Sequence, residues 1–267
     1  MTSQRSRTII RTHHQLQKEH AIAIKKGDSK LAAKIAARIE ENGGIEVYQA
    51  ASKQGQSKDR GGDSSHLLVE WLRDTKIMKE EHSGEHEAIT ESEVPLRCLE
   101  VGSLSTKNAI SKYPKQIQMT RIDLNSQGAG IEKQNFMERP VPANASETFD
   151  VLSLSLVLNY VPDSTGRGEM LKRVSQFLRR SQRSTENILP VLFLVLPLPC
   201  VENSRYLDEP LLINIMANLG FSLRKEKKTS KLCYYLFSLT GPSNGKKSSK
   251  RKVRDGPAMN NFCIVVD

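Results

Sequence analysis

The sequence predicts an α/β fold in which helices cover both faces of a Rossmann-like parallel sheet, preceded by an N-terminal helical extension. Two observations support this. After residue 95, short β-rich runs alternate with helical runs, which is typical of parallel sheets. The first β-rich run ends in Glu100-Val101-Gly102, and the second ends in Asp123, 21 positions after the glycine. A glycine after one strand and a carboxylate at the tip of the next are how such a sheet holds an adenosine cofactor.

The first 94 residues are predicted to form a helical extension and a linker. Residues 15–41 are mostly helix formers, and a break at 26–28 predicts a helical hairpin that ends at Gly43-Gly44. The second arm of the hairpin carries apolar side chains at every fourth residue. This apolar stripe must pack against another part of the protein.

The linker is predicted to be polar and irregular, apart from one helix. Residues 52–65 contain no large apolar side chain and predict a loop. Residues 66–75 predict a short amphipathic helix. The acidic segment 80–93 marks the boundary, so the second domain is expected at 95–267.

The second domain is predicted from its short apolar runs. The run at 189–196 is apolar throughout, as expected for a strand that is buried on both faces. Gly220 is a C-terminal cap for the helix before it. The predicted strands are 97–101, 118–122, 131–136, 149–155, 189–196, 221–223, 233–239 and 262–266. One helix is predicted to begin near residue 105, and two more are predicted at 169–180 and 207–219.

Charge is unevenly distributed along the chain. The formal net charge is +10, from 40 basic and 30 acidic residues, and residues 221–267 hold 11 basic and 3 acidic ones. A local positive excess favours a polyanionic partner, although a solvated tail explains it equally well. The basic segment, residues 246–254, is a candidate nuclear address, RNA clamp or solvated loop, and these three interpretations are not exclusive.

Several other classes of site are not expected. Four widely separated cysteines without a C-x-x-C pair predict buried thiols in a reducing compartment. His82 and His86 have a spacing that suits a metal on a helix, but they lie among loop formers, and no metal is predicted. The longest apolar stretch, 188–201, contains three prolines and is too short for a bilayer, so no membrane partner is predicted. No secretory signal is predicted either.

The turn after the first strand favours S-adenosylmethionine as the cofactor. Dinucleotide sites normally carry G-x-G-x-x-G, whereas Gly102-Ser103-Leu104-Ser105 has one glycine. S-adenosylmethionine has no phosphate to accommodate. Asp123 is predicted to accept hydrogen bonds from both ribose hydroxyls, while Asn135 bonds the adenine edge and Phe136 packs on the adenine face. The alternatives are an ordinary tight turn at Gly102 and a strand-end cap at Asp123.

The segment 149–163, which includes Leu156-Val157-Leu158-Asn159-Tyr160, resembles the fungal 25S ribosomal RNA adenine-N(1) methyltransferase family. The resemblance covers about residues 66–267, and further matching segments are 99–102, 122–125, 134–140, 167–171, 197–200 and 260–265. It implies a class I methyltransferase fold, S-adenosylmethionine as methyl donor, a large-subunit rRNA adenine as substrate and a nucleolar location. The family's cofactor residues fall on Gly102 and Asp123. Asn135 departs from the aspartate that is common in the third motif. The full set of candidate cofactor contacts is Gly102, Ser103, Asp123, Leu124, Asn135, Phe136 and Ser155.

Methylation of adenine N1 requires alignment more than base catalysis, because that nitrogen already carries a lone pair. No catalytic residue is predicted, since Ser155-Leu156-Val157-Leu158 stands where amino-group methyltransferases often carry Asn/Asp/Ser-Pro-Pro-aromatic. Asn159 is a candidate to bond the edge of a flipped base, and Tyr160 to stack on it. Arg167 is a candidate for an RNA phosphate contact. The alternatives are a helix cap at Asn159, a core aromatic at Tyr160 and an ordinary surface charge at Arg167.

The leading functional hypothesis is an rRNA adenine-N(1) methyltransferase whose partner is large-subunit rRNA or a pre-ribosomal particle. One alternative is a non-catalytic regulator that binds S-adenosylmethionine and signals through a protein partner. Another is a ribosome-assembly factor with a vestigial site. The positive charge near the C-terminus favours RNA over a purely protein partner.

Overall fold

A computed structural model describes residues 2–55, 63–79, 94–126, 128–179 and 188–267. His82, His86, the acidic segment 80–93 and residues 56–62 of the predicted loop lie outside the described residues. The chain divides into two compact units: Met1–Asp63 with Tyr160–Asp163, and Ser64–Asn159 with Ser164–Asp267.

The first unit contains three helices, α1 (Ser3–Lys25), α2 (Ser29–Glu41) and α3 (Gly44–Gly55). The predicted hairpin is confirmed, and the side chain of Asp28 caps α2 by accepting the N–H of Leu31 at 2.9 Å. Gly43-Gly44 ends α2 as predicted, and α3 starts at once. The apolar stripe packs into a small core that consists of Leu16, Ala23, Ala32, Ile35 and Ile39.

The second unit is built on one seven-stranded sheet with strand order β3-β2-β1-β4-β5-β7-β6. Strands β1 to β5 run parallel, and β7 pairs antiparallel with both β5 and β6. The predicted Rossmann-like class is therefore confirmed. The strands are β1 (Leu96–Val101), β2 (Ile117–Asp123), β3 (Glu132–Lys133), β4 (Val151–Ser155), β5 (Val191–Pro197), β6 (Phe221–Lys228) and β7 (Leu232–Leu239).

Helices cover the sheet, and β5 is an interior strand that lies between β4 and β7. Residues 191–196 are all fully buried, which requires cover on both faces. The helices of this unit are α4 (Ser65–Asp74), α5 (Ser164–Phe177), α6 (Pro199–Glu202) and α7 (Glu209–Asn218), with 3-10 turns at Ala109–Lys112, Ala145–Glu147 and Leu158–Tyr160.

Helix α4 packs on the sheet, which differs from the predicted domain boundary at residue 94. Its apolar face carries Leu68 and Leu72, and the Trp71 ring meets the Phe193 ring edge-on at 5.9 Å. An amphipathic helix must bury its apolar face, and here the sheet supplies the surface. The unit with the sheet therefore begins at Ser64.

Two predicted elements are wrong. No α-helix starts near Ser105, because the side chains of Ser103 and Asn108 are bonded to Glu100 and hold the chain in an irregular turn. Residues 262–266 are largely buried but do not join the sheet. They pack against α5, and Val266 forms a single antiparallel bridge with Ser248.

The four cysteines of the chain are buried and free, as predicted: Cys98, Cys200, Cys233 and Cys263. Within the described ranges, no helix combines the length and the apolar character needed to cross a bilayer.

Candidate functional site

The carboxyl ends of β1, β2 and β4 meet at one edge of the sheet, called here the carboxyl edge. Val101 is in register with Ile122 on one side and with Leu154 on the other. Gly102, Asp123 and Ser155 therefore occupy adjacent positions where these strands end. The backbone carbonyl of Ile122 accepts the N–H of Gly102 at 2.8 Å and that of Ser103 at 3.1 Å. The structure thus brings the glycine turn directly against the acidic strand tip.

Gly102 is required by both conformation and space. Its φ of +75° lies in the left-handed region, which side-chain-bearing residues rarely adopt. A β-carbon at this position would lie 2.5 Å from Cγ2 of Val157, in the loop after β4. The turn after β1 is therefore packed closely against the loop after β4.

The carboxylate of Glu100 organises this turn, and sequence reasoning did not single it out as a site residue. Its Oε1 accepts from Asn108 Nδ2 at 2.7 Å, and its Oε2 accepts from Ser103 Oγ at 3.0 Å. Arg121 Nε lies 3.5 Å from Oε2, and both side chains of this ion pair are only 12% exposed. An acidic residue before Val101-Gly102 is visible in the sequence, but its partners lie both in the connection after β1 and on β2.

Asp123 and Leu124 form the other side of the edge. One carboxylate oxygen of Asp123 accepts the N–H of Asn125 at 2.9 Å, and the backbone carbonyl accepts the N–H of Gln134. Leu124 is 57% exposed although it is a large apolar residue. A carboxylate beside an exposed apolar side chain suits a ribose that carries a flat heterocycle.

The adenine contacts predicted at Asn135 and Phe136 are not supported. The Asn135 amide is used inside its own turn, where Oδ1 accepts the N–H of Met137 and Nδ2 donates to Glu138. Phe136 is 3% exposed, and its ring centroid lies 5.1 Å from that of Phe177 in α5. The turn after β3 directs the Phe136 ring into the core, so the structure lends no support to its packing on adenine.

The loop after β4 carries the remaining residues of this edge. The hydroxyl oxygens of Ser155 and Ser64 are 2.8 Å apart, which ties the end of β4 to the start of α4. Leu156 has a φ of +58°, a conformation that is strained for a residue with a side chain. Asn159 Oδ1 is buried and has no hydrogen-bond partner in the described part of the chain. An unpaired buried acceptor costs about 1–3 kcal/mol, so this atom lacks a compensating donor in the described chain.

Tyr160 belongs to the helical unit. Its ring centroid lies 3.6 Å from that of His14 and 5.8 Å from that of Tyr48. Burial raises the pKa of Tyr160. The ring is engaged by these neighbours, which supports the core-aromatic alternative rather than stacking on a flipped base.

Arg167 lies inside the sheet unit, so the structure favours a packing role over the predicted phosphate contact. The residue is 5% exposed, its Nη1 donates to the Cys263 carbonyl at 2.7 Å, and its guanidinium lies 4.5 Å from the Phe262 ring centre. Arg167 holds residues 262–266 against α5. A β-carbon on the next residue, Gly168, would overlap the Val265 carbonyl, so that glycine allows the close approach.

No group of three or more His, Cys, Asp or Glu side chains is arranged for a metal ion within the ranges that the structure describes. The Asp123 and Glu100 carboxylates instead bond backbone and side-chain donors of the turns beside them.

Comparison with known proteins gives consistent matches. The family model described as 25S rRNA (adenine(2142)-N(1))-methyltransferase, Bmt2, matches residues 33–264. The 25S rRNA (adenine(2142)-N(1))-methyltransferase of Saccharomyces cerevisiae is 38% identical over 231 residues, which are 86% of this chain and 62% of that protein. The 25S rRNA adenine-N(1) methyltransferase of Schizosaccharomyces pombe is 36% identical over 257 residues, which are 96% of this chain and 89% of that protein. The chain thus spans less than two thirds of the length of the Saccharomyces relative.

Solved structures are also similar. A SAM-dependent methyltransferase of Methanosarcina mazei has a TM-score of 0.40 at 17% identity, covering 56% of this chain and 94% of that one. The 16S rRNA methylase RmtB has a TM-score of 0.39 at 14% identity, covering 85% of this chain and 75% of that one.

Proposed function

The chain belongs to the Bmt2 family of 25S rRNA (adenine(2142)-N(1))-methyltransferases, and we propose that it methylates N1 of an adenine in large-subunit ribosomal RNA with S-adenosylmethionine as donor. The observation that carries the proposal is the juxtaposition of Gly102 and Asp123 at the carboxyl edge of β1 and β2. In an open α/β sheet, ligands bind at this edge.

The residues at the carboxyl edge fit S-adenosylmethionine. Gly102 holds the left-handed turn that packs against Val157, and its backbone would lie beside the amino-acid part of the donor. The Asp123 carboxylate would accept hydrogen bonds from the ribose hydroxyls, and the exposed Leu124 side chain would cover one face of the adenine. Glu100 keeps Ser103 and the turn in place. When bound, the donor supplies an electrophilic methyl group on sulfur.

The target base is recognised by an acceptor. The 6-amino group of adenine is a donor, and Asn159 Oδ1, an unpaired acceptor in the loop after β4, would accept from it. Guanine presents a carbonyl oxygen at the equivalent position and would leave two acceptors facing each other. Asn159 therefore selects adenine and holds the edge that includes N1.

The reaction needs alignment rather than a general base. Adenine N1 attacks through its own lone pair, so the protein must place this atom in line with the methyl group and exclude water. N1 lies on the pairing edge, so the nucleotide must first be unpaired or flipped out. Neither Tyr160 nor Arg167 is assigned a part in this step.

Methyl transfer to unmodified RNA tests the proposal. The purified chain is incubated with methyl-labelled donor and large-subunit rRNA, either free or in pre-ribosomal particles, and reverse-transcription stops are mapped. We expect label in the RNA and one new stop at an adenine, which is lost when that adenine is replaced by guanine. Donor binding without a stop on either substrate would reject the enzyme and leave the regulator or assembly-factor alternatives.

We also propose that the protein acts in the nucleolus, where ribosomal RNA is made and assembled. The support for this location is the proposed substrate, large-subunit ribosomal RNA. Imaging of the tagged chain with a nucleolar marker tests the location, and exclusion from that compartment would contradict it.

A further inference from the structure

The basic segment, residues 246–254, is held against the sheet unit at two places. Ser248 and Val266 exchange backbone hydrogen bonds of 2.7 and 3.0 Å. Near its end, the N–H of Val253 donates to the Arg205 carbonyl at 2.8 Å. The segment is therefore a defined surface of the unit.

Three of its six cations stabilise the segment itself. Lys250 Nζ lies 4.3 Å from the centre of the Tyr206 ring, and Lys252 Nζ lies 2.8 Å from Asp255 Oδ2. The Arg254 guanidinium donates to the carbonyls of Val201 and Glu202 at 3.0 and 2.6 Å. These contacts fix the path of the backbone.

The other three cations face solvent. Lys246, Lys247 and Arg251 are exposed, and their side chains form no ion pair with any described residue. Three cations on one short, fixed segment create a local positive potential that a polyanion neutralises with release of counterions.

The anchors place the end of the segment near the carboxyl edge. Arg254 is bonded to residues of α6, which starts directly after β5. Val265, next to the residue that pairs with Ser248, donates its N–H to the carbonyl of Ser164, the first residue of α5. Both helices are entered from the edge at which β4 and β5 end. Gly102 and Asp123 lie at this same edge of the sheet.

We propose that the basic segment is a fixed RNA-docking surface, in which Lys246, Lys247 and Arg251 contact backbone phosphates near the target adenine while Lys250, Lys252 and Arg254 hold them in place. This inference rests on the proposed function for its choice of RNA. A receptor that reads a nuclear address as an extended peptide must first break the bonds of Arg254 and Val253, whereas RNA binds the surface as it stands.

The test removes the three free charges. The variant is Lys246→Gln with Lys247→Gln and Arg251→Gln. A matched control, Lys76→Gln with Lys112→Gln and Lys115→Gln, removes three exposed charges near the opposite edge, where β1 and β2 begin. Affinity for a fluorescent fragment of large-subunit rRNA is measured across a salt series, and thermal unfolding confirms that both variants are folded.

We expect the slope of log affinity against log salt to become shallower by about 2 to 3 in the variant and to stay unchanged in the control. An unchanged slope in the variant, or an equal change in the control, would overturn the proposal. Loss of import-receptor binding with an unchanged RNA slope would overturn it in favour of an address. If the chain transfers no methyl group but the slopes differ as expected, the docking surface stands and the proposed function fails.

Discussion

Val157 occupies the space that a β-carbon on Gly102 would need, since the two carbons would lie 2.5 Å apart. The loop after β4 is thereby fitted against the turn after β1. The loop itself is strained, because Leu156 holds a φ of +58°. The close fit explains why the turn after β1 needs a glycine at this position.

Gly102→Ala should weaken donor binding strongly, and Gly102→Arg should abolish it. Adding Val157→Ala to Gly102→Ala removes the overlap but leaves a left-handed alanine, which costs about 1–2 kcal/mol. We therefore expect partial recovery of affinity in the double variant, measured by calorimetry with S-adenosylmethionine. The absence of any recovery would show that Val157 is not what limits this position.

Asp123→Asn should lower donor affinity by roughly 10- to 100-fold. The change removes the charge that strengthens hydrogen bonds to the ribose hydroxyls, and such bonds contribute about 1.5–3 kcal/mol. Glu132→Gln is a matched control. Glu132 lies on β3 in register with Ile122 of β2, and its carboxylate is exposed. Equal affinities of wild type and Asp123→Asn would remove Asp123 from the site.

Glu100→Gln should loosen the turn without touching the donor. The amide cannot form the ion pair with Arg121 or accept equally from both Ser103 and Asn108. We expect about tenfold weaker donor binding, together with faster hydrogen exchange of the amides at 103–108. Unaltered exchange in this segment would refute the positioning role of Glu100.

Arg167→Ala should detach residues 262–266 from α5. The change removes a buried charged donor to the Cys263 carbonyl and the contact with the Phe262 ring, so the free energy of unfolding should fall by about 2–3 kcal/mol. Urea unfolding and proteolysis near the C-terminus measure this. The conservative change Arg167→Lys should recover only part of the stability, because one ammonium cannot replace the planar guanidinium. Stability equal to wild type in Arg167→Ala would contradict the anchor.

Acid should destabilise the helical unit through His14. Burial, reinforced by the charges of Lys18 and His13, lowers the pKa of His14 from 6.5 to about 3. Below pH 6.5 the unfolded chain binds a proton that the folded chain does not, so stability is complete above this pH and falls as the pH decreases toward 3. The slope contributed by His14 is at most about 1.4 kcal/mol per pH unit.

The variant His14→Phe isolates this effect, since it keeps a ring against Tyr160 and cannot take up a proton. Unfolding by urea at a series of pH values should give a shallower acid slope for the variant than for wild type. Identical slopes would contradict the assignment to His14.

The sheet and the donor edge are predictable because they depend on local patterns. Apolar runs identify the strands. Gly102 and Asp123 follow the ends of two parallel strands, so both must lie at the carboxyl edge. The direction of the Phe136 ring is not predictable in this way, because it depends on Phe177 and α5, 41 positions further along the chain.

Long-range packing also explains the errors near the C-terminus. Residues 262–266 have the composition of a strand, but the surface that buries them is a helix whose glycine permits close backbone approach. Arg167 resembles a surface cation until its partner, 96 positions away, is known. Burial by a distant segment leaves no periodic pattern at the residue itself.

The most direct test of donor binding at Gly102 and Asp123 is a crystal structure of the chain grown with S-adenosylmethionine. We expect the ribose hydroxyls within hydrogen-bonding distance of the Asp123 carboxylate and the amino-acid part of the ligand against the Gly102 backbone. A ligand bound elsewhere on the chain, with the carboxyl edge of β1 and β2 empty, would contradict the central claim.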